Sequence, residues 1–431
     1  MFHSLNKTLI KSKKIIGLMT LINGVHAREI LDSRGNPTVE VDVRVGDFIA
    51  RASVPSGAST GKYEAVELRD WDKKRFFGKG VKKAVNNIHR FIAPRLRGMD
   101  CRKQQEIDEK LILLDGTKDK KDLGANALLG VSMAVCRAGA YASKVPIFRY
   151  IANMHKTRHL SLPRLFLNVV NGGKHAGNQL AIQEFMIVPR AASVAERVRI
   201  GSEVYHVLKQ VIEKKYGRNA VNVGDEGGFA PPLRRAEEAL DLIMSALRAS
   251  GYQSKVDLAL DCAASEFHHG GRYSIFGQTR GITAYELLDY YLHLVKNYPI
   301  ISIEDPFDQD DFMHFHELTQ KLKGRVQVIG DDLTVTNIQR MTLAFRWNAI
   351  NCLLLKMNQI GTVSEALRAA RAAHEHGWRV MVSHRSGETT DDFISDLTVG
   401  IGAEMIKAGA PARGERVTKY NQLMRIEEML R

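Results

Sequence analysis

Hydrophobic and polar residues alternate strictly near the amino end of the chain, between residues 38 and 43. This period of two is typical of a strand with one buried face. A turn-forming cluster at 32–37 precedes this strand, and a further apolar run at 48–54 completes a β-meander. From about residue 79 to 150 the apolar positions recur with helical spacing instead. We therefore predict an α+β capping domain over residues 19–155.

A different rhythm begins at about residue 162. Apolar runs recur, and most of them end in polar or charged residues that a helix-like stretch follows. The runs cover residues 165–170, 256–260, 300–303, 326–329, 352–355, 380–382 and 404–406. Such alternation is the signature of a parallel α/β fold, and its length fits a (β/α)₈-type barrel. We predict that residues 156–431 form this barrel and that the fold class is α/β.

Polar residues follow the apolar runs at the points where the strands should end. They are Asp261, Glu304, Asp331, Lys356, His384, Arg385, Ser386 and Lys407. The carboxyl ends of barrel strands meet at one face, which is where active sites lie. The pattern therefore predicts that three carboxylates, two lysines, an arginine and a histidine converge on one small volume.

Three converging carboxylates repel one another unless a divalent cation lies between them. An all-oxygen ligand set favours Mg²⁺. Lys356, beside that cation and Lys407, would have its ammonium form disfavoured, so its pKa should fall and the amine could act as a general base. Arg385 suits a phosphate or carboxylate fork, and Lys407 suits a point-charge contact. This chemistry removes a proton beside a carboxylate and stabilises the enolate.

Simpler explanations exist for each residue taken alone. A single Asp at a strand end is usually a helix N-cap, and a single Lys usually extends to solvent. Five such residues in successive units favour a shared site. Asp305 and Asp332 are interpreted as caps or as groups behind the ligands. Three further loops add Gln183 with Glu184, Asp225 with Glu226, and His175, and each of these signals is weak by itself.

Composition narrows the classes of protein. The 431 residues include 62 Lys and Arg against 48 Asp and Glu, a net charge of +14. We interpret the basic residues as scattered along the chain. This distribution favours a generally basic surface over a dedicated nucleic-acid binding site. No apolar run approaches the ~18 residues of a membrane span. The four cysteines lie far apart without a C-x-x-C pair, which favours a reducing cytoplasm and small buried hydrophobes.

Residues 1–18 carry four lysines and no acid. We interpret them as an N-terminal extension for which three explanations stay open. The natural start could be Met19, the segment could be a disordered or lightly packed tail, or it could be an export or transit signal.

Eleven stretches of the chain, in order, resemble the enolase family. They are SRGNPTVEV, VPSGASTG, VNGGKHAGN, IQEFMIVP, VGDEGGFAP, LDCAASEF, SIEDPFDQDD, IGDDLTVTN, LLLKMNQIGT, VSHRSGET and IKAGAPARGERVTKYNQLMRIEE, spread over residues 25–430. The resemblance implies a barrel of the enolase kind and reversible, Mg²⁺-dependent dehydration of 2-phosphoglycerate to phosphoenolpyruvate. It also implies a homodimer or an octamer, with small-molecule substrate as the main partner.

The resemblance further implies roles for matching residues. Lys356 would take the C2 proton, and Glu226 would protonate the leaving C3 hydroxyl with support from Glu184. The first of two Mg²⁺ ions would be held by Asp261, Glu304 and Asp331, and the second by Ser59 from a loop that closes over the barrel. The implied substrate contacts are Gln183, His175, His384, Arg385, Ser386 and Lys407.

Several positions depart from the family's usual pattern. They are Lys174, the run Thr390-Asp391-Asp392, Gly414 and the basic net charge. Lys174 could alter closure of the loop that carries His175. Three alternatives stay open: another acid dehydratase of the same superfamily, a binding or structural protein that reuses the fold, and a nucleic-acid or partner role suggested by charge.

Overall fold

A computed structural model describes residues 20–58, 60–275 and 281–431. The predicted extension at 1–18 and the predicted ligand Ser59 lie outside the described residues. The amino-terminal part opens with an antiparallel meander of β1 (Ile22–Leu31), β2 (Pro37–Val45) and β3 (Phe48–Ser53). The alternation in β2 places Val39, Val41 and Val43 against the core with no exposed surface.

Helices complete the amino-terminal domain. They are α1 (Lys82–Asn87), a π-helical turn (Ile88–Ile92), α2 (Ala93–Leu96), α3 (Gln104–Asp115), α4 (Ala125–Ala142) and α5 (Ile147–His155). Helix α4 lies close to the sheet because Gly130 has no side chain: a Cβ there would meet Val41 Cγ2 at 2.7 Å. Small residues in α4 thus let a helix and a sheet pack closely.

Eight strands close into the barrel. They are β4 (Arg164–Asn171), β5 (Glu184–Pro189), β6 (Val256–Asp261), β9 (Ile300–Glu304), β10 (Gln327–Gly330), β11 (Cys352–Leu355), β12 (Arg379–Ser383) and β13 (Met405–Lys407). A two-stranded ribbon of β7 (His268–His269) and β8 (Arg272–Tyr273) lies between β6 and β9 in the chain. The (β/α)₈-type barrel with an amino-terminal cap is confirmed.

One strand breaks the parallel pattern. β5 runs antiparallel to both β4 and β6, whereas the other neighbouring strands of the barrel are parallel. The predicted strand–helix alternation held for most strands but does not extend to this pair, because only residues 172–183 join β4 to β5 and they contain no α-helix. A connection this short returns the chain as a hairpin, since a parallel neighbour needs a crossover.

Helices surround the barrel. They are α6 (Val194–Tyr216), α7 (Ala236–Ala249), α8 (Ala284–Asn297), α9 (Phe312–Leu322), α10 (Ile338–Arg346), α11 (Met357–Ile360), α12 (Val363–Glu375), α13 (Phe393–Gly400) and α14 (Gly414–Leu430). No helix of the described ranges is long and apolar enough to span a bilayer. The inside of the barrel is a packed core that includes Phe166, Met186, Cys352 and Met405. All four cysteines are buried and free, as the sequence predicts.

The cap is attached to the open face of the barrel. Ser56 and Gly387 exchange two backbone hydrogen bonds, of 2.7 and 2.8 Å, which hold the loop after β3 over the barrel. Arg137 of α4 pairs with Asp391 at 2.6 Å, so the unusual run at 390–392 takes part in holding cap and barrel together. The boundary at residues 155 and 156 stays a prediction.

Candidate active site

The carboxyl ends of the parallel strands bring the predicted residues together. Asp261 ends β6, Glu304 ends β9 and Lys407 ends β13, while Asp331, Lys356 and His384 each follow their strand directly. A small polar cavity opens there. Its lining consists of His175, Gln183, Glu184, Glu226, Asp261, Lys356, Ser383, His384, Arg385, Ser386 and Lys407.

Glu184 reaches this face by a different route. Because β5 is antiparallel, its first residue rather than its last lies at the open face, where Glu184 pairs in register with Asp261. Gln183 precedes it, and its Oε1 is buried without a hydrogen-bond partner. Glu184 Oε2 is also buried without one. Unsatisfied acceptors in a polar cavity mark places where a ligand could donate or coordinate.

Lys407 is the electrostatic centre of the cavity. Its Nζ lies 2.7 Å from Asp261 Oδ2, 2.9 Å from Glu304 Oε2 and 3.2 Å from Glu184 Oε1. Burial lowers the pKa of Lys407, but the surrounding carboxylates outweigh burial and raise it well above its usual range. Lys407 is therefore an ammonium ion.

Lys356 forms an ion pair with one of the predicted metal ligands. Its ammonium group donates to Asp331 Oδ2. Burial lowers the pKa of Lys356, but the Asp331 carboxylate outweighs burial and the neighbouring cations, so the pKa is raised. The fall in pKa was predicted for Lys356 beside a bound cation, so it stays a prediction. Gln359 holds the other oxygen of Asp331 at 2.8 Å.

The carboxylates do repel one another as predicted. Burial and the Asp261 charge raise the pKa of Glu304 well above its usual range. Burial also raises the pKa of Asp261, but Lys407 outweighs it and leaves the pKa lowered. Buried, all-oxygen donors of this kind suit Mg²⁺.

The structure groups potential metal ligands somewhat differently from the sequence. Among the described residues, sets of three ligand atoms within 4.8 Å of one another are formed by His175, Glu184 and Glu226, and by Asp305, Asp331 and Asp332. The predicted trio Asp261, Glu304 and Asp331 is not such a set, because lysine side chains lie among its carboxylates. Asp305 also accepts the backbone N–H of Asp331 at 2.9 Å and of Asp332 at 2.6 Å, so it holds the β10 loop behind the ligands.

Glu184 and Glu226 form a buried acid pair. Burial raises the pKa of Glu184 well above its usual range, and the charge of Glu226 raises it further. Burial also raises the pKa of Glu226, but the His384 and His175 rings outweigh it and the pKa is well below its usual range. Asn168 donates to Glu226 Oε2 at 2.9 Å and favours the same ionised form. The proton of the pair therefore resides on Glu184.

The glycines around Glu226 let its loop reach the barrel. A Cβ on Gly224 would lie 2.2 Å from the backbone oxygen of His175, and a Cβ on Gly228 would lie 2.7 Å from Asn171 Oδ1. Gly227 has a φ of +85°, in the left-handed region. The absence of side chains at these glycines thus lets the Glu226 loop pack against the His175 loop.

Arg416 orients His384, and no pattern in the sequence marks it as a site residue. Arg416 Nη1 lies 2.7 Å from His384 Nδ1, and the guanidinium also donates to the backbone oxygens of Asp225, Arg385 and Ser386. Burial lowers the pKa of His384 to about 3, so the ring is neutral. Since Nδ1 accepts from Arg416, the ring proton is on Nε2, which lies 3.4 Å from Glu226 Oε2.

Arg385 and Ser386 occupy the side of the cavity nearest the cap. The Arg385 guanidinium forms two 3.1 Å contacts with the carboxylate of Glu64, and it also donates to Asn358 at 2.9 Å. Ser386 Oγ accepts from Arg34 of the cap at 3.5 Å. Sequence reasoning missed Glu64, although it follows the loop at 55–61 that the analysis expected to close over the barrel.

Lys174 pairs with Glu266 through Nζ and Oε2 at 2.5 Å. This ion pair joins the turn that carries His175 to the turn after β6. The remaining departure, Gly414, begins α14 at a distance from the lining residues and has open space around its Cα.

An eight-stranded barrel with one reversed strand, a capping domain and acidic and lysine side chains at the strand ends defines the enolase-type lyases. Comparison with known families agrees with this architecture. Residues 22–151 match the family model described as the enolase N-terminal domain, and residues 159–431 match that described as the enolase C-terminal TIM barrel domain. The chain belongs to the enolase family. Its acidic clusters could bind a metal, in keeping with a family that is typically metal-dependent.

Proposed function

We propose that this protein is a Mg²⁺-dependent hydro-lyase that interconverts 2-phospho-D-glycerate and phosphoenolpyruvate. The single observation that supports this most strongly is the composition of one buried cavity. Lys356, Glu226 and Lys407 line it together with Arg385 and other polar side chains. A base, an acid and cationic groups for a carboxylate and a phosphate are the parts this reaction requires.

Proton removal is the first step of the proposed mechanism. The C2 proton lies beside a carboxylate and is weakly acidic, and its loss produces an aci-carboxylate intermediate. Lys356, which is an ammonium paired with Asp331 in this structure, would first release a proton to solvent and then take the C2 proton as the free amine. Lys407 would stabilise the developing negative charge, because a buried ammonium in a water-poor cavity interacts strongly with it.

Loss of the C3 hydroxide is the second step. Glu184 would pass its proton to Glu226, and Glu226 would deliver that proton to the leaving C3 oxygen, so that C3–OH leaves as water. The proton of the pair resides on Glu184, whose carboxyl lies within 4.8 Å of Glu226. His175 and His384 would hold the Glu226 carboxyl in place, at 3.5 and 3.4 Å.

Two Mg²⁺ ions, when bound, would neutralise the carboxylate and phosphate of the substrate. The chemistry of the donors fits this assignment, because Asp261, Glu304 and Asp331 are buried oxygen donors at adjoining strand ends. Asp331 is also the partner of Lys356, which links the proposed metal ligands to the proposed base. Ser59 would complete the second ion's ligands from the cap. Arg385 and Ser386 would contact the phosphate, and Gln183 would contact the substrate.

The test follows ultraviolet absorbance after 2-phosphoglycerate is added to the purified full chain with Mg²⁺, then with EDTA. We expect an absorbance rise that EDTA abolishes and Mg²⁺ restores. Sugar acids without phosphate serve as the control substrates. Dehydration of a sugar acid without turnover of 2-phosphoglycerate would assign the chain to another acid dehydratase of the superfamily.

Three further features are proposals that accompany this function. We propose a domain boundary between residues 155 and 156, a cytoplasmic location, and assembly as a homodimer or octamer. Four buried, free cysteines agree with a reducing compartment. Mass measurement of the purified chain in solution tests the assembly.

A further inference from the structure

Basic residues are concentrated in one segment of the cap rather than scattered. Residues 69–103 contain twelve Lys and Arg but only three Asp and Glu, a net charge of +9 within a chain of net +14. The interpretation of scattered charge was therefore wrong. Ten of the twelve basic residues are exposed: Lys73, Lys74, Lys79, Lys82, Lys83, Arg90, Arg95, Arg97, Arg102 and Lys103.

The three acids of this segment serve its own structure. Asp70 accepts the backbone N–H groups of Lys82 and Lys83 at 3.0 and 2.8 Å and so caps α1. Asp72 accepts the backbone N–H of Lys74 at 3.0 Å. Asp100 pairs with Arg102 at 2.6 Å. These local contacts leave most of the positive charge of the segment uncompensated.

Many of the exposed cations have no acidic partner. Across the described residues, no ion pair is formed by Lys73, Lys74, Lys82, Lys83, Arg90, Arg95 or Arg97. A surface with this excess of one charge attracts a polyanion or an anionic plane over about one Debye length, which is ~8–10 Å at physiological salt.

Large aromatic side chains protrude from the same segment. The side chains of Trp71 and Phe77 are 75% and 93% exposed, and Phe76 and Phe91 are also exposed. Backbone hydrogen bonds from Trp71 to Gly78 and from Asp70 to Gly80, of 2.9 and 2.8 Å, close the segment 70–80 into a compact loop. We call residues 70–80 the aromatic loop.

The backbone of the aromatic loop is also unusual. Trp71, Phe76 and Phe77 have φ values of +60°, +46° and +53°, in the left-handed region that bulky residues seldom adopt. Strain of this kind persists where the surrounding contacts determine it, and it collects at binding surfaces. Here the strained residues are the ones whose rings face solvent.

We propose that the aromatic loop and the basic helical segment that follows it, residues 81–103, dock on a bilayer surface rich in anionic lipid. Trp and Phe partition into the interfacial region of a bilayer, and each Lys or Arg near an anionic surface contributes about 1 kcal/mol. The exposed Trp71 and Phe77 supply the aromatic side chains, and the exposed lysines beside them supply the positive charge. Docking would be peripheral and reversible, in contrast to a membrane span.

Two other occupants fit less well. A second copy of this chain would bring one +9 segment against another, and like charges oppose that contact. A single-stranded nucleic acid stacks its bases on rings set along a basic groove. Trp71 and Phe77 instead stand on one closed loop that also carries the exposed Lys73, Lys74 and Lys79. Rings and cations confined to one protruding loop favour contact with a surface over contact with an extended strand.

The test is sedimentation of the full chain with vesicles of phosphatidylserine and phosphatidylcholine, compared with phosphatidylcholine alone. We expect binding only to the mixed vesicles, with loss at high salt. The variant K83E/R90E/R97E should bind about tenfold less or weaker still. The control K209E/K214E/K321E changes the same charge at exposed positions outside the cap and should weaken binding less.

Tryptophan fluorescence tests the aromatic loop separately. Trp347→Phe leaves Trp71 as the one exposed tryptophan, since Trp378 is only 7% exposed. Mixed vesicles should then shift the emission to the blue. Removing the rings with W71G/F77N should reduce vesicle binding, whereas Leu113→Ser, at another exposed apolar residue, should not.

Three results would overturn the proposal. The first is that the full chain does not bind mixed vesicles even at low salt. The second is that it binds single-stranded RNA and not mixed vesicles, and the third is that it does not bind vesicles but forms a dimer that the W71G/F77N substitutions dissociate. The 2-phosphoglycerate assay reports on the cavity and not on this surface, so each variant should keep wild-type turnover if it is folded.

Discussion

Glu64 of the cap and Arg385 of the barrel form a two-pronged ion pair in which both nitrogen–oxygen distances are 3.1 Å. The guanidinium proposed to receive the substrate's phosphate is thus already held by a carboxylate from the other domain. A phosphate that enters the cavity must share Arg385 with Glu64 or displace it.

Glu64→Gln should therefore strengthen binding of inorganic phosphate and weaken the apo fold. Removing one partner of a buried ion pair costs about 3–5 kcal/mol, and Asn358 would offset only part of this. Thermal unfolding with and without phosphate measures both effects. We expect a lower Tm for Glu64→Gln and a larger rise on adding phosphate than in the wild type. Equal rises in the two proteins would show that Glu64 and phosphate do not compete.

Isotope exchange should distinguish the proposed role of Lys356 as the base from that of Glu226 as the acid. Lys356→Ala should lose turnover and exchange of the C2 proton together, by roughly 10²–10⁴-fold, because it removes the proposed base. Glu226→Gln should lose turnover but keep exchange, because it removes only the proposed acid. Nuclear magnetic resonance in deuterated water measures exchange directly. Retained exchange in Lys356→Ala would remove Lys356 from the role of base.

Asp396 should make stability depend on pH. Burial, together with the Asp392 charge, raises the pKa of this carboxyl from 3.8 to about 7. A raised folded-state pKa contributes stability below the unfolded pKa that is lost as pH rises toward 7. In the wild type, this carboxyl should lower the free energy of unfolding by up to about 4 kcal/mol between pH 4 and pH 8. Asp396→Asn should abolish that decrease, because the amide does not ionise. Urea unfolding at both pH values measures it, with exposed Glu213→Gln as the control.

Lys174 should affect substrate binding more than chemistry. Its ion pair with Glu266 spans two turns at the cavity edge, and Lys174 is half exposed, so the pair contributes at most about 1 kcal/mol. Lys174→Ser should raise KM up to about fivefold with little change in kcat, and high salt should mimic it. The charge swap K174E/E266K should recover the wild-type KM. A swap no better than Lys174→Ser would show that this pair does not set loop closure.

Much of the site was predictable because strand ends are marked in the sequence. Asp261, Glu304 and Lys407 end apolar runs, and the barrel rule then places them on one face. Glu184 escaped this rule because it begins a reversed strand. Glu64 and Arg416 escaped it because their contacts come from outside the barrel strands, and no local pattern records such contacts.

Protonation states were less predictable than positions. The sequence predicts that Lys356 lies beside a bound cation and Lys407, and Lys407 and Arg385 do lower its pKa in the structure. Its pKa is nevertheless decided by the single carboxylate that its Nζ contacts. A pairing at atomic distance depends on side-chain conformation, which residue spacing does not determine.

The reversed strand also bears on how the barrel assembles. β4 and β5 are joined by the twelve residues 172–183, whereas the parallel neighbours β6 and β9 are separated by residues 262–299. Contacts between segments close in sequence form sooner, because less chain must be ordered before they meet. The β4–β5 hairpin is thus the barrel pairing with the shortest loop, and it offers a local nucleus on which the slower parallel pairings can build.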